Sequence, residues 1–201
     1  MMQFDCNKVK LIIRALNIFV IVTIVSACAH PITIVPDKTP ERVESKLSSK
    51  KVAYLMTESN RNLEVTTLGG GGDKLTYYPY RDSEKAIRDA LRAVYSDVTV
   101  ISSSSNEVIK NEKISYIYTP VISTISSSDS AFTWPPTYFR IELTCKVNDV
   151  SGRELTILKV EGSGRAEFSE FKINTGLAGT RANSDLSEKL RQEILKNPDL
   201  Y

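Results

Sequence analysis

Between Tyr138 and Val150 the chain alternates without a break. Phe139, Ile141, Leu143, Cys145 and Val147 are apolar, and Tyr138, Arg140, Glu142, Thr144 and Lys146 fall between them. Successive side chains of a strand point to opposite faces, so a period of two fits a strand and no helix. It also requires a sheet with one face in a core and the other in water. Asp149-Val150-Ser151-Gly152 has the residues of a tight turn, which makes Glu154 to Phe168 the expected hairpin partner. Gly162 and Gly164 in that partner imply a bend or a close backbone approach. Upstream, Ile114 to Ser126 is apolar on both faces, as a central strand is, and Pro120 implies a bulge or an edge at that point.

The remaining periodic segments fit around that meander. Lys51 to Thr57 (KVAYLMT) and Val98 to Ser102 (VTVIS) read as strands. Ser83 to Asp97 reads as a helix, with Ala86, Ile87, Ala90, Leu91, Val94 and Tyr95 on one stripe. A second helix is expected over Thr175 to Lys196, where Ala178, Ala182, Leu186, Leu190 and Ile194 recur at i,i+4 steps before Asn197-Pro198. The order predicts an α+β fold, a mostly antiparallel sheet with about two helices packed on one face. Residues 29–50 carry Pro31, Pro36 and Pro40 among mostly polar neighbours and read as a flexible tether. Such a tether averages about 25 Å as a coil. The folded unit is then residues 51–201, a single domain by length.

The first 27 residues read as an export signal. Lys8, Lys10 and Arg14 precede an apolar stretch, Ala15 to Ala27, of 13 residues. That length suits a secretory signal and is short of the roughly 20 residues that span a bilayer as a helix. Val25-Ser26-Ala27-Cys28 resembles a bacterial lipobox: an aliphatic residue and two small ones before a cysteine. The resemblance implies cleavage before Cys28 and attachment of lipid, palmitate included, to that residue. Ala29 follows, where an aspartate would resemble an inner-membrane retention signal, so the outer membrane is the expected location. Lipid is thus the first expected partner, through acylated Cys28.

Charge and residue inventory narrow the chemistry. The formal net charge is +2, and the first 27 residues hold three cations against one anion, so the rest of the chain is near neutral. No basic stripe offers nucleic acid a footprint. His30 is the only histidine and lies in the expected tether, so a Ser-His-Asp or Cys-His site has no base. Cys6 falls in the signal, Cys28 is the expected lipid site, and Cys145 remains as a small core residue. There is no metal-ligand spacing, and neither a metal nor a cofactor is expected. The Gly69–Gly72 run invites comparison with a phosphate-binding loop, but Asp73 stands before Lys74 where that loop needs glycine.

Aromatic residues mark a candidate partner surface. Phe132, Trp134 and Tyr138 flank Pro135-Pro136, and Tyr77, Tyr78 and Tyr80 cluster upstream. Such aromatics are enriched in interface cores, and an equal alternative makes Trp134 a cap over the end of the sheet. The lipobox, the proline-bearing tether, the early βα unit, the hairpin KVNDVSGREL, the segment ISYIYTPVIS and the C-terminal helix together resemble the small outer-membrane lipoproteins typified by YajG, LpoB and PelC. Ser115 stands where an acidic residue is common in them. The resemblance implies a non-catalytic periplasmic role: binding an envelope protein, stimulating a wall enzyme, or assembling as a homo-oligomer. The competing reading is a periplasmic small-ligand binder or envelope enzyme built on the Gly69–Gly72 loop.

Overall fold

The structure, a computed structural model, describes residues 29–68, 74–103, 113–129, 135–171 and 173–201. Its elements run β1 (Ala29–Pro31), β2 (Ser48–Leu55), α1 (Glu58–Arg61), β3 (Val65–Leu68), β4 (Lys74–Tyr77), α2 (Pro79–Arg92) and β5 (Tyr95–Ile101). They continue with β6 (Tyr116–Ser127), β7 (Tyr138–Asp149), β8 (Glu154–Arg165), α3 (Phe168–Phe171) and α4 (Leu177–Leu195). The fold is α+β, as the sequence predicts.

The main sheet has the order β5-β2-β6-β7-β8. β6, β7 and β8 form the antiparallel meander, and β2 lies parallel to both β5 and β6. Alternation along β7 comes out as read: Phe139, Ile141, Leu143, Cys145 and Val147 are buried, while Glu142 and Lys146 are exposed. The turn between β7 and β8 is built by Asp149, whose Oδ1 accepts from the Ser151 and Arg153 backbone N–H groups, with Gly152 at a φ of 88°.

Pro120 is accommodated without a register shift. The pairing of β2 with β6 ends at Tyr118. Two residues past Pro120, the Ile122 N–H points away from β7 and donates to the Tyr80 hydroxyl at 3.2 Å. Pro120 shares that orientation by the period of two. Its missing donor therefore faces the side where the sheet has already stopped, and β6 is an edge at that point.

Both long helices cover the same face of the main sheet. Ala178, Ala182, Leu186, Leu190 and Ile194 of α4 are fully buried, and so are Ala86, Ile87, Ala90 and Leu91 of α2. The two helices meet where the Ser187 hydroxyl donates to the Ala86 carbonyl at 2.8 Å. α4 lies on the backbone of β8. A β-carbon at Gly162 would overlap the Ala182 carbonyl oxygen, and one at Gly164 the Ala178 carbonyl oxygen. The second helix thus begins and ends within two residues of expectation, while the first is shifted. α2 starts at Pro79, whose fixed φ and missing N–H suit a first helical position. It stops at Arg92, because Tyr95 belongs to β5 and its neighbours pair with β2.

Two features depart from expectation. Residues 58–82, where the sequence offers no periodic element, contain β3 and β4, which join β1 in a second, three-stranded sheet of order β1-β4-β3. β1 comes from the segment read as a tether. That segment is packed: Ile32 and Ile34 are buried, and the pattern from Pro31 to Pro36 alternates exposed and buried. The prolines misled the reading. Three of them in ten residues look like a linker, yet proline is also tolerated in an extended segment outside a central strand, and this one buries alternate side chains.

If residues 29–50 are a structural strap, Ile34→Ala will lower stability by about 2–5 kcal/mol, the range for deleting a buried isoleucine; a chemical-denaturation midpoint unchanged from wild type would return the segment to a tether. Gly164→Ala should also destabilise, by about 1–3 kcal/mol for an overpacked contact, in the same assay.

Candidate functional site

The strap is the element on which the fold's unusual polar contacts converge. Ile34 lies between α2 and α4 with its side chain fully buried. Its backbone N–H donates to Asp82 Oδ2 of α2 at 3.2 Å, and its carbonyl accepts from Asn183 Nδ2 of α4 at 2.6 Å. Asp82 and Asn183 are themselves buried. Gly179 of α4 makes room for the strap, since a β-carbon there would overlap the Ile34 side chain. Further on, the Lys38 N–H donates to the Ser184 hydroxyl, which donates to Asp37 at 2.8 Å. The Thr39 hydroxyl donates to Asp89 Oδ2, which Lys85 also holds at 2.8 Å. Arg42 closes the run on the Tyr95 and Arg92 carbonyls. Burial raises the Asp82 carboxyl above the usual carboxylate range, opposed by the Ile34 N–H and Arg81.

Shallow clefts flank the strap. One of about 410 Å³ is lined by Asp37, Lys38, Glu41, Arg181, Asp185 and Glu188. Another of about 460 Å³ involves Arg42, Asp89, Arg92 and Asp97. A third, of about 480 Å³, lies at the far end beside Tyr116, Asp149, Arg153 and Asp199. Their charged groups are largely paired: Lys189 with Asp185 at 2.6 Å, Arg181 with Glu170 at 2.6 Å, Arg191 with Glu188 at 3.1 Å and Arg153 with Asp149 at 3.0 Å. Among the described residues no group of three histidine, cysteine or carboxylate side chains is placed to hold a metal ion. Cys145 is fully buried between strands, and burial pushes its thiol up to about 12, the state of a core residue and not of a nucleophile.

The aromatic residues singled out from the sequence part company. Tyr77 is buried, packs edge-on against Phe139 with ring centres 5.3 Å apart, and shares a 2.7 Å hydrogen bond with Thr124. Tyr80 is buried, and its hydroxyl receives the Ile122 N–H. These two rings are pillars between the small sheet, α2 and the main sheet, which leaves them no surface for a partner. Tyr78 is half-buried with the Arg81 guanidinium 3.8 Å above its ring. Tyr138 is half-buried on the outer face of β7, where its hydroxyl accepts from Arg140 Nε at 3.1 Å. The upstream tyrosines and the start of β7 do come together, but through buried rings. Phe132, Trp134, Gly69 to Gly72 and Cys28 lie outside the described residues.

Sequence reasoning missed the strap and its two clamps, Asp82 and Asn183. A signal was present: Ile32, Ile34 and Pro36 alternate with Thr33, Val35 and Asp37. Asp82 precedes the expected helix by one residue with no pattern to mark it, and Asn183 sits beside a stripe of apolar residues where a polar side chain signals a buried hydrogen bond.

No protein-family model matches the sequence, and no curated protein matches it. Several solved structures resemble the fold. A PelC dodecamer from Paraburkholderia phytofirmans is 14% identical over 78% of this chain and 93% of its own, with a TM-score of 0.44. A DUF330 protein from Xanthomonas campestris is 12% identical over 85% of this chain and 96% of its own, with a TM-score of 0.45. A candidate lipoprotein from Caulobacter crescentus is 13% identical over 64% of this chain and 83% of its own, with a TM-score of 0.33. No residue role is taken from them. Among the described residues no helix is long and apolar enough to cross a membrane.

The clamp makes a two-sided prediction. Asp82→Ala leaves the buried Ile34 N–H without an acceptor and should cost about 1–3 kcal/mol, whereas Asp82→Asn keeps an acceptor and removes the desolvated charge. Because the folded-state pKa of Asp82 is raised, the folded protein holds its proton longer than the unfolded chain does. Wild-type stability should therefore fall relative to Asp82→Asn as pH rises above 3.8, and the two should converge below it. Denaturation at several pH values reads this directly; parallel curves for the two proteins would count against it.

Proposed function

We propose that the chain is a lipid-anchored lipoprotein of the outer membrane, held at its periplasmic face by acylated Cys28, and that it acts through protein contacts without catalysing a reaction. The observation that carries this reading is the stretch Val25-Ser26-Ala27-Cys28, an aliphatic residue and two small ones before a cysteine, at the end of an apolar run that begins at Ala15. Three acyl chains on one residue anchor a protein far more firmly than the single chain that gives only marginal binding.

The non-catalytic half of the proposal draws on the side chains. The sole histidine, His30, is in β1. Cys145 is a buried thiol. The clefts are open and lined by carboxylates already bridged to arginine or lysine. An accessory module that binds an envelope protein, or a further copy of itself, fits this inventory better than an enzyme does.

Metabolic labelling with an alkyne palmitate, comparing wild type with Cys28→Ala and followed by membrane fractionation, tests the anchor. Label on the wild type alone, in the outer-membrane fraction, is the expected result. An unlabelled wild type overturns the lipoprotein reading, and label with inner-membrane recovery overturns the location.

A further inference from the structure

Three large apolar side chains stand out from the rest of the described surface. Ile173 is 94% exposed, Leu68 71% and Phe168 68%, and the next most exposed, Val121, is 53%. They are far apart in sequence, and the topology brings them to one end of the domain. That end is fixed by the meander, where Ser127 pairs with Tyr138 and Tyr138 with Arg165. Phe168 follows Arg165 by three residues in α3. Ile173 lies in the connection from α3 to α4, which is tied to the same end by Arg181, bonded to the Arg165 carbonyl and to Glu170.

Leu68 reaches this end from the small sheet. Tyr77 touches Thr124 of β6, and Thr67 touches Ser126 through hydroxyls 2.9 Å apart. Moving along β3 towards Leu68 therefore runs with β6 towards Ser127. In the small sheet Leu68 pairs with Lys74, and Lys74 pairs with Ala29. Ala29 is thus in the same row as Leu68. With the strap packed, the lipid site proposed at Cys28 is the sequence neighbour of Ala29.

We infer that this end of the domain lies against the lipid surface, with Leu68, Phe168 and Ile173 seated at the boundary of headgroups and acyl chains. The inference rests on the reading of Cys28 as the lipid site and adds to it an orientation and contact residues. The electrostatics suit the placement. Arg165 bridges both Asp129 and Glu167, at 3.1 and 3.3 Å, and Arg181 bridges Glu170 at 2.6 Å, so two arginines offset part of the charge of these three acids next to anionic headgroups. Exposed Lys74 sits in the row of Leu68 and Ala29, where a long aliphatic stem with a cationic tip suits the interface.

The test uses the full-length acylated protein in vesicles of phosphatidylethanolamine with a minority of phosphatidylglycerol. An environment-sensitive NBD fluorophore is placed on Leu68→Cys, Phe168→Cys or Ile173→Cys in turn. Val150→Cys is the control, since Val150 is 47% exposed in the β7–β8 turn at the opposite end. Cys145 is buried and does not compete for label. The expected result is a several-fold rise in emission at the three positions on vesicle binding, quenched by bromine-substituted acyl chains, with no change at Val150→Cys. An acylated, vesicle-bound protein whose three probes behave like the control overturns the inference and leaves the anchor standing. A protein with neither palmitate label nor vesicle association overturns both. Probes already shielded without vesicles, in a species of dimer mass or more, assign the surface to a second copy and overturn the lipid contact.

Discussion

The two hydrogen bonds on the Ile34 peptide groups hold the architecture together. An extended segment buried between two helices has no neighbouring strand to take its N–H and C=O, and each group left unpaired costs about 1–3 kcal/mol. Here the side chains of Asp82 and Asn183 do what a sheet partner would do. Each comes from a different helix, so the strap joins α2 to α4 as much as they enclose it. Gly179 is needed because the strap lies against α4 there, as Gly162 and Gly164 are needed where the other side of α4 meets β8. The helix is thus packed at backbone distance on both sides, with glycine at each contact.

The parts of this fold that were legible in the sequence are those whose pattern is set by one neighbour. β7 alternates because one face meets the helices and the other meets water, and α4 shows its stripe because a single sheet receives it. The first helix was misplaced where two patterns overlap: Val94 and Tyr95 continue the helical stripe in register, yet Tyr95 is in β5, buried, with its hydroxyl bonded to Tyr118 at 2.6 Å and to the Leu200 carbonyl at 2.9 Å. A contact spanning 105 residues has no local signature. β1, β3 and β4 are three or four residues long, too short for any period to declare itself.

The candidate site was legible in one respect and obscure in another. The resemblance of Val25-Ser26-Ala27-Cys28 to a lipobox lies in a linear pattern, so it needs no fold to be read. The surface that would accompany it is assembled from β3, α3 and the α3–α4 connection, and only the sheet register shows that these adjoin Ala29. The tyrosines illustrate the opposite error. Clustered aromatics suggest an interface, but Tyr77 and Tyr80 are spent on holding the small sheet and α2 to β6.

The strap also sets an order of events. Its clamps lie 48 and 149 residues downstream, and the second is in the last helix of the chain. Contacts of such long range form late, after the loop-closure entropy has been met. By that argument the segment around Ile34 is among the last parts of the fold to be fixed. The sequence distance between Ile34 and Asn183 ties one of the earliest described segments to the last helix, so neither is complete without the other.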